Sequence, residues 1–171
     1  MKFNKTLSAM ILASGLVTFG AQADQGSGMV TFTGSVIDAP CSIAAGDEDQ
    51  TISLGQVSSS AVANGGTSTP VPFYIHLENC SVDTANTVTT TFSGMDSSVT
   101  GAVLGVTGNA TDVGIVMTDG DSNTITLGEA TAGQAIVSGD NTLSYSAYII
   151  GGAAPTEGDF TAVTNWTLAY E

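Results

Sequence analysis

An all-β antiparallel sandwich of immunoglobulin-like type is the fold this sequence predicts. Short runs rich in Val, Thr, Ile and Phe alternate apolar with polar residues, as strands with one buried face do. Turn signals separate the runs: Gly65-Gly66, Asp119-Gly120, Ser138-Gly139-Asp140-Asn141 and Gly151-Gly152. No stretch sustains helical periodicity, and many short strands at this spacing are the mark of a sandwich.

Before the strands come two segments of different character. Residues 1–23 read as a secretory signal, with Lys2 and Lys5 at the start, an apolar run over 7–19 and Ala21-Gln22-Ala23 as the cleavage site. The run is shorter than the ~18 to 20 apolar residues a membrane span needs. Residues 24–38 follow as an extension whose Val30, Phe32, Gly34 and Val36 share one side of an extended chain, with Thr31, Thr33 and Ser35 on the other. Residues 39–171 form one domain, with no linker or repeat dividing them.

Within that domain the expected strands are 30–43 (which carries the extension into it), 51–54, 71–78, 87–92, 113–118, 124–127, 141–150 and 160–170. In the third, Phe73, Ile75 and Leu77 face inward and Tyr74, His76 and Glu78 outward. In the last, Thr164, Trp166, Leu168 and Tyr170 share one face, and Val163, Asn165, Thr167 and Ala169 the other. Cys41 and Cys80, in an exported chain, are expected to form a disulfide. The closed loop of about 40 residues is credited with roughly 4 kcal/mol in the chain-entropy model.

Charge excludes several functions. The full chain carries 2 basic and 16 acidic residues, and both lysines leave with the signal. A mature chain near −16 without Lys or Arg is unsuited to nucleic acid or anionic membranes, which require cations against phosphate. Catalysis finds little to use. The single histidine, His76, lies on an exposed strand face, and no Gly-x-Ser-x-Gly elbow or phosphate-cradling loop is present. Two cysteines and one histidine supply too few ligands for a metal site, so no cofactor or metal is expected. Asp119-Gly120-Asp121-Ser122-Asn123 resembles the start of a calcium loop, but Thr124 and Ala130 stand where glycine and a bidentate acid are needed. It reads more simply as a hairpin turn. The run Asp47-Glu48-Asp49 reads as a solvated loop.

The residues resemble the type 1 fimbrial subunit family of the bacterial chaperone–usher pathway. Four features carry the likeness: the alternating extension from Val30 to Val36 leading into Ala39-Pro40-Cys41, the strand closed by Asn79-Cys80, a penultimate aromatic Tyr170, and Gly158 fourteenth from the C-terminus. The resemblance implies an immunoglobulin-like sandwich lacking its last strand. Val30, Phe32, Gly34 and Val36 would be the donor face, while Trp166, Leu168 and Tyr170, with Gly158 as C-terminal signature, would help line the acceptor groove. A periplasmic chaperone, an outer-membrane usher and other pilin subunits would be the partners, and the product a surface fimbria used in adhesion, built by donor-strand exchange. The alternative from another class is a secreted, monomeric carbohydrate-binding module stacking sugars on Tyr74 or Tyr148.

Overall fold

The computed structural model describes residues 28–83 and 85–171. The expected signal peptide and residues 24–27 of the expected extension lie outside them. Residues 37–171 form one compact unit, and 28–36 belong to another. The latter carry no strand, and Val30, Phe32 and Val36 are 75%, 90% and 102% exposed, so their apolar faces are unburied.

The elements in chain order are β1 (Ser42–Ile43), α1 (Ser59–Val62), β2 (Val71–Cys80), β3 (Thr87–Gly94), β4 (Leu104–Gly105) and β5 (Thr107–Gly108). They continue with β6 (Val113–Asp119), β7 (Gln134–Ala135), β8 (Gly139–Gly151), β9 (Phe160–Thr161) and β10 (Thr164–Tyr170). All pairings are antiparallel. One sheet runs β1-β2-β8-β6-β4, a second β10-β3-β7, and β5 and β9 form a small third ladder.

Alternation decides which side chains enter the core. Ile75 and Leu77 of β2, Leu143 and Tyr145 of β8, and Met117 of β6 are buried, facing Val88 and Phe92 of β3. Tyr74, His76 and Glu78 are exposed, as the sequence predicts. Tyr145 is the centre of an aromatic cluster, its ring centroid 5.4 Å from Phe73 and 5.1 Å from Phe92. Its hydroxyl lies 2.7 Å from that of Thr90, a buried polar residue of β3, so the cluster also joins the two sheets by a hydrogen bond. Cys41 and Cys80 are bonded, tying the start of β1 to the end of β2. Beside the bond, β2 slips register between Leu77 and Cys80 with Asn79 at φ 53°.

Four expected strands need correction. Only Ser42–Ile43 of 30–43 is a strand. Residues 51–54 pair with nothing among the described residues. Residues 124–127 are a crossover: Thr124 bridges Thr118, Ile125 donates to the Met117 carbonyl at 2.9 Å, and by Gly128 the chain is bonded to Phe92 of the other sheet at 2.8 Å. A chain changing sheets cannot stay in one ladder. The stretch 160–170 divides for the same reason, β9 pairing with β5 and β10 with β3. The calcium-like sequence is a turn whose Asp119 Oδ1 accepts from the Asp121 and Asn123 amides at 3.0 and 2.8 Å.

Burial pushes the Tyr145 hydroxyl above the ordinary tyrosine value; the charge of Asp119 acts in the same direction, and the hydrogen bonds with Thr90 and Gln134 oppose it. Burial raises Tyr170 as well. A raised tyrosine pKa means that the folded state favours the neutral phenol. That stability is complete below about pH 10 and is lost as pH rises through the folded-state values. Tyr145→Phe keeps the ring packing but leaves the Thr90 hydroxyl unpartnered, so urea unfolding at pH 7 should show a loss of about 1–3 kcal/mol. Between pH 9 and 11 the variant should lose less further stability than the parent, and an equal alkaline slope would count against this assignment.

Candidate functional site

A cavity of about 960 Å³ opens between the two main sheets. Its apolar lining comes from Phe73 and Ile75 of β2, Ile115 and Met117 of β6, Ala147 and Ile149 of β8, and Phe92 of β3. These are residues whose inward orientation follows from strand alternation, and in a completed sandwich another strand would cover them. Two chain segments also line it, residues 50–57 and 155–164, followed by Trp166.

Unpaired backbone borders the cavity on two sides. β10 is bonded to β3 on one side, and its other edge has no strand neighbour among the described residues. Residues 51–57 make no backbone–backbone hydrogen bond among the described residues; the Gly55 amide reaches the Ser53 hydroxyl at 3.4 Å. Apolar walls beside free N–H and C=O groups suit an extended peptide, which brings side chains for the cavity and a backbone for the edge. Nothing in the lining offers a nucleophile with a base beside it.

The predicted groove residues divide. Gly158 and Trp166 line the cavity. Leu168 and Tyr170 share the inward face of β10 with Trp166, but both are part-buried against the core cluster and do not line it. The cavity occupies the Thr164–Trp166 end of the strand and does not extend along the same face to Leu168 and Tyr170. Gly34 has no atom within 4 Å of where a Cβ would stand, so contacts within the described chain do not demand a glycine there. Tyr74 is exposed and Tyr148 half-buried. His76, also exposed, holds Asp47 at 2.8 Å, so the acidic run is not wholly solvated.

Sequence reasoning missed the segment 50–57 as a cavity wall. The alternation of Ile52 and Leu54 signals an extended chain but gives no sign that its partner is lacking. It also missed why Gly158 is glycine. Gly158 has φ +150°, and a Cβ there would sit 2.6 Å from the Ala110 amide nitrogen and 2.7 Å from the Asn109 carbonyl carbon. Across the β5–β9 ladder, a Cβ on Gly108 (φ +143°) would meet the Asp159 carbonyl oxygen. Two glycines thus let the backbones cross in contact, with the Asn109 amide donating to the Asp159 carbonyl at 2.8 Å.

Comparison with known proteins agrees with this geometry. The family model described as "Fimbrial protein" matches residues 30–171. The chain is 51% identical to the Fimbria A protein of Serratia marcescens and 43% identical to the Major MR/P fimbria protein of Proteus mirabilis, in each case over 100% of both chains. Among solved structures, a chaperone–usher pilus subunit superposes with a TM-score of 0.77 at 35% identity, covering 86% of this chain and 97% of its own. The P pilus rod subunit PapA gives 0.70 at 31% identity, covering 78% of this chain and 100% of its own.

Gly158→Ala should destabilise the domain by roughly 1–3 kcal/mol or more through backbone strain and the forced separation of 109–110 from 158. Thermal unfolding checks this. Gly128→Ala, at a glycine that also has positive φ (+78°) but open space around it, should cost less.

Proposed function

We infer the function from one premise: the chain belongs to the fimbrial protein family. It is a structural subunit of a surface fimbria, and the family is one of pilins rather than enzymes. We propose that it polymerises by donor-strand exchange, the mode of strand addition for which pilins are themselves a standing example. The observation that carries the reading is the apolar cavity beside the unpaired edge of β10. The extension of one subunit would enter the groove of the next, with Val30, Phe32 and Val36 directed into it and Gly34 where space is smallest.

The physical terms favour exchange. Val30, Phe32 and Val36 are exposed in the chain alone, and burying each contributes on the order of 1.5 to 3 kcal/mol. Each backbone bond gained along the edge adds about 1 kcal/mol net. β10 is 7 residues long, the same span as Val30 to Val36, so one donor can pair along its whole length. Until that happens the groove is an aggregation hazard, and a periplasmic chaperone would cover it before an outer-membrane usher receives the subunit. The Cys41–Cys80 bond fits passage through an oxidising compartment. A monomeric carbohydrate-binding module would need neither the extension nor the open groove.

Deleting residues 24–37 should leave a chain that accepts a donor and cannot give one, so electron microscopy should show no filaments. Fusing a copy of residues 24–38 after Glu171 through a flexible linker should give a stable monomer. In filaments, Phe32→Ala should weaken each junction by about 1.5–3 kcal/mol, read as depolymerisation at lower denaturant. A truncated chain that still forms filaments would refute donor-strand exchange through this segment.

A further inference from the structure

β1 ends early. It pairs Ser42 with Glu78 and Ile43 with Leu77, and the Ala44 amide then donates to the His76 carbonyl at 2.9 Å. Had the ladder continued, the chain after Ala44 would have run on along β2 and used up its own backbone groups. Instead it turns away: Gly46 takes φ +97° and the Asp47 amide donates back to the Ala44 carbonyl at 3.1 Å.

The edge of β2 left behind is not abandoned. Asp47 Oδ2 accepts from the His76 backbone amide at 2.6 Å, and the His76 ring Nδ1 lies 2.8 Å from the same oxygen. Gln50 Nε2 donates to the Tyr74 carbonyl at 2.6 Å and to the Asp47 carbonyl at 3.3 Å. Side chains thus stand in for a paired strand, at alternate residues of β2, which is the spacing a strand's own amides and carbonyls would have. After Gln50 the chain lines the groove without backbone partners among the described residues.

We infer that Asp47 and Gln50 are positioning residues that hold residues 51–57 beside the groove by fixing the chain just before them to the edge of β2 with their side chains. The inference rests on the function proposed above, because the groove's use is what gives the wall's position a consequence. With the wall so clamped, the unpaired backbone groups of 51–57 stay within reach of the incoming strand, which can then bond on this side as well as along β10. Asp47 acts through the wall alone and does not line the cavity, while Gln50 also borders it.

The test uses the mature chain carrying a fluorescent synthetic peptide of residues 24–38, with release followed after excess unlabelled peptide is added. In parallel, spin labels on Ser53→Cys and Thr167→Cys report the distance distribution between wall and β10. Replacing both clamp residues, Asp47→Ala with Gln50→Ala, should speed release roughly tenfold, as expected for loss of a few exposed hydrogen bonds, and broaden the distribution. Asp47→Asn keeps an oxygen for the His76 amide and should restore most of the difference. His76→Ala leaves the backbone contact intact and should stay within about twofold of the parent. Release at the parent rate with an unbroadened distribution in the double variant would overturn the clamp. If the parent takes up no peptide, the donor-strand proposal fails instead, and the spin-label distribution alone then decides whether the clamp exists.

Discussion

An unpaired backbone edge beside an apolar cavity is the constraint from which the rest of this structure follows. The outer edge of β10 offers N–H and C=O groups to no strand among the described residues, and the cavity next to it is lined by Phe73, Phe92, Ile115 and Met117. Neither feature is stable in isolation, because buried polar backbone seeks partners and exposed apolar surface seeks cover. One extended segment satisfies both. The chain carries a segment of that description outside its compact unit, with Val30, Phe32 and Val36 unburied.

An incomplete sandwich needs other sources of rigidity, and charge pairing is scarcely one of them. With both lysines in the predicted signal, the mature chain's sole cationic side chain is His76 when protonated, already placed against Asp47. What remains is the Tyr145 cluster with its hydrogen bond to Thr90, the Cys41–Cys80 link, and the contact crossing at Gly108 and Gly158. The disulfide lies outside the cavity lining, and the Tyr145 cluster reaches the cavity through Phe73 and Phe92. The third holds the stretch 155–164, which is itself cavity wall.

How much of this the sequence makes legible depends on whether the signal is local. Alternation in 71–78 assigns inward Ile75 and Leu77 and outward Tyr74 and His76 correctly, because a half-buried strand writes its faces with period two. The same rule puts Trp166, Leu168 and Tyr170 on one face and is right, yet it cannot say that the cavity reaches Trp166 and stops short of Leu168 and Tyr170. Residues 124–127 fail for a related reason. Their composition is that of a strand, and the event that prevents one is a crossing to Phe92, remote in sequence. Thr51 to Leu54 also has a strand's composition, but strand formation needs a partner, and in the register of β1 these residues would lie past Val71, where β2 begins.

That last case joins the fold to its use. A segment with strand propensity and no strand partner breaks the usual agreement between local preference and local structure, and such disagreements gather where function requires them. Residues 51–57 and the outer edge of β10 are both in this condition, and both border one cavity. If each had found a partner within the chain, the sandwich would be more stable and closed to addition. The positive φ values of Gly46, which turns the chain off β2, and Gly158, which lets 155–164 cross 109–110 in contact, mark where the backbone departs from the shorter route. Stability given up at these positions is recoverable from a second molecule, which is the thermodynamic condition for a subunit that is complete only in a polymer.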